Sequence, residues 1–239
     1  MDYVLTWSLL IALAGGLVRG TTGFGAAMVM TPPLALLIGA RTAVPVTLLL
    51  ETFAAAPMLP AALALARWRV IAPICASAVL AVPAGGLLLA LASPLALTRL
   101  IAGTVIVFSL ALLSGRRYEG PQRLPTSLGL GALSGTMLGA TSIGAPPVIL
   151  YLLSGPDPVA VTRANLTLYV VVISGAGLVM LAVSGLITMA TLQQATMLAL
   201  PFAGGVVAGS KLFARFSDQR FRQVTIVFMF LVSLGVLLA

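Results

Sequence analysis

Apolar residues follow one another along this chain in long runs, which short polar or charged stretches interrupt. Five runs fill each half of the chain: residues 3–19, 24–38, 43–66, 70–91 and 95–114, then 126–139, 143–153, 159–184, 189–213 and 221–238. A helix needs roughly 20 apolar residues to cross a bilayer. The pattern therefore predicts an all-α, polytopic membrane protein. The widest hydrophilic interval, 114–127, is too short for a soluble domain, and we expect a single membrane domain over 1–239.

A glycine- and hydroxyl-rich break separates the first two runs of each half. The breaks are GLVRGTTGFG at 16–25 and GTMLGATSIG at 135–144. Irregular backbone inside a bilayer is tolerated only where it is buried in protein or lines a cavity. The apolar arms beside the breaks hold only about 11 to 17 residues. This length favours re-entrant hairpins with their tips at the breaks, and two short tilted spans are the alternative.

The two halves are related by a shift of 119 residues, which superposes Thr22 on Thr141 and five glycines on five others. The glycine pairs are Gly16 with Gly135, Gly20 with Gly139, Gly25 with Gly144, Gly85 with Gly204 and Gly86 with Gly205. Chance would give about one such match, so we interpret the pattern as an internal duplication. Repeat 1 covers about 1–115 and repeat 2 about 124–239, with a linker at 115–125.

Basic residues indicate how the chain crosses the membrane. The 13 Lys and Arg residues are scattered through short loops, so the net charge of +8 does not indicate a nucleic-acid partner. The positive-inside rule places the linker and the basic cluster at 211–222 in the cytoplasm, with both termini outside. This topology requires a hairpin and three transmembrane helices in each half. The repeats are then inverted relative to each other.

Composition argues against enzyme and metal chemistry. The sequence is 60% hydrophobic and 8% charged, and it contains no His and one cysteine, Cys75. We therefore expect no metal site, no cofactor and no disulfide framework. A nucleophile with a partner base is also missing, so we expect a protein that is not an enzyme.

The breaks are the candidate binding site. In an inverted pair, the hairpin tips meet near the midplane, and the helices that leave them begin with unpaired amides and partial positive charge. Such helix ends bind oxyanions, hydroxyl groups add donors, and glycine permits a close approach. The predicted substrate-binding residues are Arg19, Thr21, Thr22, Gly23, Gly25, Thr141, Ser142, Gly144 and Asn165.

Two charged residues lie at membrane depth in the first half only. Arg19 suits bidentate pairing with sulfonate, sulfite or carboxylate, and snorkelling or pairing with Glu51 is the alternative. Its repeat counterpart is Leu138, so the site carries charge on one side. Glu51 either carries a coupling proton or forms an ion pair with Arg19 or Arg41, and both roles remain open.

Each break leads into a proline-containing apolar run and then a loop with basic and small residues. The segments are MTPPL at 30–34 and RTAV at 41–44, then PP at 146–147 and RAN at 163–165. In this pattern, and over nearly all its length, the chain resembles the sulfite exporter TauE/SafE family of bacterial membrane permeases. It departs from the consecutive glycines often seen in that family, with GAA at 25–27 and GAP at 144–146.

The resemblance implies transport of sulfite, sulfonates or related organosulfur anions across the cytoplasmic membrane, usually outward. We therefore expect a secondary transporter for sulfite, sulfoacetate or another sulfonate, working by alternating access in the bacterial inner membrane, with both termini periplasmic. The expected partners are a small anionic organosulfur substrate and the lipid bilayer, and a homodimer is left open. An anion channel, or a membrane subunit of a larger transport system, is the alternative.

Overall fold

The computed structural model describes residues 2–114, 123–153, 155, 157–213 and 218–238, and within these ranges it contains helices and no strand. The helices are α1 Asp2–Thr22, α2 Ala26–Ile38, α3 Ala40–Ala55, α4 Leu59–Leu65, α5 Trp68–Leu91, α6 Pro94–Leu113, α7 Leu124–Thr141, α8 Ala145–Leu153, α9 Val159–Val183, α10 Met189–Phe213 and α11 Asp218–Leu238. A short 3-10 turn, Ala56–Met58, joins α3 to α4. The predicted all-α fold is confirmed.

Five of the described helical stretches are long and apolar enough to cross a bilayer. They are Tyr3–Thr22, Ala40–Leu65, Trp68–Leu91, Pro94–Leu113 and Ala160–Val183. Large apolar side chains such as Leu80, Leu91 and Leu200 are more than four-fifths exposed on the outer surface, which is the surface that a lipid environment stabilises. The chain is a multi-pass membrane protein.

The first arm of each hairpin is longer than the sequence predicted. Helix α1 has 21 residues, about 31 Å at helical rise, because it continues past Arg19 and Gly20 to Thr22. Helix α7 has 18 residues and likewise continues through Gly139 to Thr141. The second arms are short, with 13 residues in α2 and nine in α8. Each hairpin therefore combines an arm of about the length of a bilayer span with a much shorter one.

The most extensive helix contacts join the two halves. Helix α1 packs along α10, α5 packs along α7, and α6 packs against α11. If each helix is replaced by its counterpart in the other half, the contact between α1 and α10 becomes the contact between α7 and α5. The contact between α6 and α11 stays the same. The close approaches depend on glycine: a Cβ on Gly20 would lie 2.1 Å from the Val206 carbonyl oxygen, and one on Gly139 would lie 2.3 Å from that of Val82.

This packing corrects part of the predicted glycine register. A Cβ on Gly85 would meet the carbonyl oxygen of Thr136 at 2.0 Å, and a Cβ on Gly209 would meet that of Leu17 at 2.3 Å. Thr136 is the counterpart of Leu17 at the 119-residue shift, so Gly85 corresponds in packing to Gly209 and not to Gly204. The 119-residue shift holds at the breaks, whereas α5 and α10 match at a shift of 124. A longer connection before α10 contributes to this difference, because residues 184–188 precede it and only 66–67 precede α5.

The short arms lead to opposite ends of α5, a helix of 24 residues and about 36 Å. Arg41, in the first turns of α3, donates from Nη2 to the Ala90 carbonyl oxygen (2.7 Å) near the end of α5. Arg67, just before the start of α5, forms an ion pair with Asp157 in the connection that follows α8. Hairpins that enter from opposite faces require this arrangement. The inversion of the repeats itself stays a prediction.

Candidate functional site

The first break begins where α1 ends, at a left-handed residue. Gly23 has φ 80°, and its amide donates to the Arg19 carbonyl oxygen at 2.9 Å. The Phe24 amide then donates to the Thr22 hydroxyl at 3.3 Å. Gly25, with φ 87°, precedes α2. Positive φ costs little at glycine, so this local geometry follows from the GFG sequence.

The second break repeats most of this geometry at the 119-residue shift, but Gly144, the counterpart of Gly25, does not have a positive φ. Ser142 has φ 61°, and its amide donates to the Leu138 carbonyl oxygen at 2.8 Å. The Ile143 amide donates to the Thr141 hydroxyl at 3.1 Å. Ser142 is the only non-glycine residue with positive φ in the described ranges, and such a conformation is uncommon without glycine. Both glycine-rich breaks therefore occur where the sequence predicts them, and they share the same turn at the end of the preceding helix.

The four candidate hydroxyl groups already have protein partners. Thr21 and Thr22 donate to the Val18 carbonyl oxygen at 2.9 and 2.8 Å, and Thr141 donates to that of Met137 at 2.7 Å. These bonds satisfy carbonyl groups near the ends of α1 and α7. In this conformation the three threonine hydroxyls serve the helix ends and have no hydrogen left for a substrate.

The Ser142 hydroxyl belongs to a buried polar chain. It lies 2.7 Å from the Thr31 hydroxyl, which in turn donates to the Thr47 hydroxyl at 3.4 Å. Thr31 and Thr47 are fully buried, and Ser142 is 2% exposed. This chain connects the second break to α2 and α3 of the first half.

Two of the three candidate glycines, Gly23 and Gly144, have different surroundings. Gly23 is exposed, and a Cβ there would meet nothing within 4 Å. A Cβ on Gly144 would lie 2.7 Å from both Leu138 Cβ and the Ser134 carbonyl oxygen. Ser134 also donates a hydrogen bond to the Gly144 carbonyl oxygen. Gly144 thus permits tight packing of the second break, and Gly23 leaves space beside the first.

The two helices that leave the breaks differ in the amides they offer. The Ala27 amide, in the first turn of α2, donates to Glu51 Oε1 at 3.1 Å. Helix α8 begins at Ala145 and continues with Pro146 and Pro147, which have no amide hydrogen. The predicted pair of anion-binding helix ends is therefore unequal, because one end already receives a carboxylate and the other lacks two donors.

Glu51 is buried in a small cavity between the two breaks. The cavity has a volume of about 20 Å³ and is lined by residues of both breaks, including Gly25 and Ser142. The hydroxyl group of Ser174, which also lines it, is buried and has no hydrogen-bond partner. Glu51 forms no ion pair with Arg41 in the described structure, since Arg41 bonds to carbonyl groups at the end of α5.

A much larger cavity, of about 430 Å³, lies beside the first break. Its walls come from the end of α1, the first break, α8, α9 and α10. Exposed lining residues, among them Gly23, Met58 and Leu153, show that it opens at the surface. Asp157 lines it as well and is paired with Arg67. The opening is therefore at the end of the molecule where α5 begins.

Arg19 lines this large cavity. Its side chain is buried, with the residue only 6% exposed, and it has no hydrogen-bond acceptor or ion-pair partner among the described residues. Its electrostatic interaction with Glu51 acts through space. A buried guanidinium with unused donors is costly unless an anion completes it. Arg19 is thus the strongest candidate for contact with an anionic substrate.

Three apolar residues line both cavities and separate them. They are Phe24 in the first break, Ile149 on α8 and Val170 on α9. None of the three was predicted as a site residue, although Phe24 lies within the predicted break. Thr31, Thr47 and Ser174 were not predicted either, because single hydroxyl residues within apolar runs carry no distinctive pattern.

Asn165 lies apart from both cavities. Its Oδ1 accepts a hydrogen bond from the Arg67 amide at 2.8 Å, and its Nδ2 is buried without a partner. Asn165 thereby holds the turn between α4 and α5 against α9.

The other predicted residues that line a cavity fall into two groups. Arg19 and the first-break residues lie around the large cavity, and Gly25, Ser142, Gly144 and Glu51 lie around the small one.

Comparison with known proteins identifies the family. No curated protein and no solved structure matches the chain. A family described as sulfite exporter TauE/SafE matches residues 8–236, a span that contains both breaks, both cavities and Arg19. The chain belongs to the sulfite exporter TauE/SafE family of membrane transporters.

Proposed function

We propose that this protein is a secondary transporter that moves a small organosulfur anion, such as sulfite, sulfoacetate or another sulfonate, out of a bacterial cell by alternating access. Family membership supports transport of sulfur anions. The single observation that carries the site is Arg19, a buried guanidinium without a protein acceptor in the wall of the large cavity.

A sulfur oxyanion matches the chemistry of this cavity. Two oxygens of a sulfonate or sulfite group can accept parallel hydrogen bonds from a guanidinium, as a carboxylate does. The one carboxylate that lines the large cavity among the described residues, Asp157, is already neutralised by Arg67. The volume of about 430 Å³ accommodates a small anion with part of its hydration shell.

The direction and the energy source follow from charge. An inward-negative potential favours outward movement of an anion by about 2.3 kcal/mol per charge per 100 mV. Export therefore needs no coupling ion, whereas uptake would need one. Location in the bacterial inner membrane, with both termini periplasmic, is part of this proposal and rests on the distribution of basic residues. The large cavity would then open to the cytoplasm.

Alternating access requires that no open pore connects the two solutions. Phe24, Ile149 and Val170 separate the large cavity from the small one with apolar side chains, which supports a gated pathway. A channel is the alternative to test. Saturable flux with counterflow indicates a transporter, whereas linear flux with a large electrical current indicates a channel.

Binding measurements on purified protein test the substrate and the site together. Sulfite, thiosulfate, sulfoacetate, taurine and a carboxylate analogue are added separately, and the shift in unfolding temperature is recorded for the wild type, Arg19→Ala and Arg99→Ala. Arg99 is exposed and has the same charge, so it is the matched control. We expect sulfur anions to stabilise the wild type and Arg99→Ala but not Arg19→Ala. No stabilisation of the wild type by any sulfur anion contradicts the substrate, and undiminished stabilisation of Arg19→Ala contradicts the site.

A further inference from the structure

The large cavity has a counterpart in the other half of the molecule, and this counterpart is closed. At the 119-residue shift, each residue of α8 and α9 that lines the large cavity corresponds to a residue of α2 or α3 in the first half. Four such pairs are Leu153 with Leu34, Arg163 with Val44, Thr167 with Leu48, and Val170 with Glu51.

Burial differs sharply in three of these four pairs, whereas Val170 and Glu51 are both buried. Leu153 is 41% exposed whereas Leu34 is fully buried, and Arg163 is exposed whereas Val44 is fully buried. Thr167 is half-buried and Leu48 is fully buried. The first break itself follows the same rule, since Gly23 is exposed and its counterpart Ser142 is 2% exposed. At these positions the large cavity, which we call the open half of the pathway, is therefore exposed, whereas its counterpart, the hidden half, is packed shut.

Hydrogen bonds join the elements that form the hidden half. The chain Thr47–Thr31–Ser142 crosses it, joining α3, α2 and the second break. The three positions that correspond to these residues in the other half are Leu166, Leu150 and Gly23, none of which carries a polar side chain. The open half thus has no equivalent of this polar contact.

We propose that the hidden half of the anion pathway is closed in this structure and opens toward the opposite side of the membrane. The residues that line it are Leu48, Thr47, Val44, Leu34 and Glu51. It opens when the two halves exchange conformations and the Thr31–Ser142 contact breaks. This inference rests on the proposed alternating-access function and adds the residues of the hidden half.

The open half and the hidden half of the pathway carry different charges. Arg19 faces the open half together with Val170, while the corresponding pair in the hidden half is Leu138 and Glu51. In the exchanged state, Glu51 comes into contact with the solution opposite to the one that Arg19 contacts here. The anion therefore meets a cation on one side of the pathway and a carboxylate on the other.

Thiol labelling from the two sides of the membrane tests this inference. The chain has a single cysteine, so Cys75→Ala provides a background without thiols. Into it are placed Thr167→Cys for the open half, Leu48→Cys for the hidden half, and Ala102→Cys, a fully buried residue on α6, as the unreactive control. Right-side-out and inside-out vesicles are treated with a charged, membrane-impermeant thiol reagent.

The expected result is labelling of Thr167→Cys from one side and of Leu48→Cys from the other, with Ala102→Cys unreactive from both. Thr31→Val removes the polar contact and should raise the labelling rate of Leu48→Cys by about 2- to 10-fold, because a hydrogen bond of this kind stabilises the closed half. If Leu48→Cys does not fold, Ala43→Cys, the counterpart of Thr162, replaces it. A reactive Ala43→Cys supports the inference on the same terms.

The outcomes separate this inference from the proposed function. Labelling of the hidden-half thiols from the same side as Thr167→Cys, or no labelling from either side even with Thr31→Val while sulfite is transported, overturns the inference and leaves the function intact. Labelling from opposite sides in a protein that neither binds nor transports a sulfur anion supports the inference and contradicts the proposed substrate.

Discussion

The main-chain amide of Ala27 donates a hydrogen bond to Glu51 Oε1 over 3.1 Å, so a carboxylate of the protein occupies the start of α2. The amides of a first helical turn and the helix dipole favour an anion at this position. Here the anion is internal, and the substrate is left with Arg19 and the large cavity. The proposed binding site is thus centred on the end of α1 and not shared equally between two helix starts.

Two replacements of Glu51 distinguish the effect of its charge from the effect of its hydrogen bond to the Ala27 amide. Glu51→Gln keeps an acceptor for the Ala27 amide, whereas Glu51→Ala leaves that buried amide without one, which costs about 1–3 kcal/mol. We expect Glu51→Ala to unfold at a lower temperature than Glu51→Gln. Both variants should bind sulfite at least as tightly as the wild type, because a negative charge near the site has been removed.

Calorimetric binding and thermal unfolding, both performed on detergent-purified protein, measure these effects. If Glu51→Gln loses sulfite binding, Glu51 contributes to the site directly and the assignment of the anion to Arg19 alone is wrong. Proton coupling is a separate role. If it exists, Glu51→Gln retains sulfite counterflow but no longer accumulates sulfite in response to a pH gradient.

Replacement of Arg19 should weaken anion binding strongly. Hydrogen bonds to charged groups contribute about 1.5–3 kcal/mol, so Arg19→Ala is expected to raise the Kd for sulfite by about 10- to 100-fold. Arg19→Lys keeps the charge but not the two parallel donors, and it should fall between Arg19→Ala and the wild type. Isothermal titration calorimetry measures the three affinities. Equal affinities for Arg19→Lys and the wild type would argue that the contact is not bidentate.

A glycine substitution tests the packing of α1 along α10. In Gly20→Ala, the new Cβ would lie 2.1 Å from the Val206 carbonyl oxygen and 2.8 Å from the Ser210 amide nitrogen, both backbone atoms. Overpacking of this kind costs about 1–3 kcal/mol, so the unfolding temperature should fall. Gly204→Ala, on α10 itself, is the control, because a Cβ there meets nothing within 4 Å. Equal stability of the two variants would contradict the close helix contact.

Asn165 is expected to affect stability and not affinity. Asn165→Ala removes the acceptor of the Arg67 amide and should lower the free energy of unfolding by about 1–3 kcal/mol, while Asn165→Asp keeps an acceptor oxygen at that position. Sulfite Kd should change less than about twofold in either variant, because Asn165 lines neither cavity. A large loss of sulfite affinity in a folded Asn165→Asp protein would show that Asn165 contributes to the binding site.

Local sequence signals predicted the helices and the breaks well. Apolar runs predicted the helical fold, and the glycines with adjacent threonines predicted two breaks, each with a left-handed residue where the preceding helix ends. The ends of α1 and α7 were placed too early, since each helix continues through Gly20 or Gly139 to Thr22 or Thr141. The 119-residue shift describes the breaks, but a different shift describes the packing of α5 and α10.

Contacts between distant residues could not be read from the sequence. Glu51 and Ala27 are 24 residues apart, and Thr31 and Ser142 are 111 apart. Such pairs depend on how helices cross, which a single chain does not reveal. Arg19 was recognised because a cation at membrane depth is rare. Only the structure shows that Arg19 lies in the wall of a large cavity and has no acceptor among the described residues.

Counterflow of radiolabelled sulfite in proteoliposomes measures directly whether the protein transports sulfite through a site that contains Arg19. Vesicles loaded with unlabelled sulfite and diluted into labelled sulfite are compared for the wild type, Arg19→Ala and Arg99→Ala. We expect saturable, transient accumulation of label with the wild type and with Arg99→Ala, and a loss of about 10-fold or more with Arg19→Ala. Absence of counterflow in the wild type, or full counterflow in Arg19→Ala, would contradict the proposal.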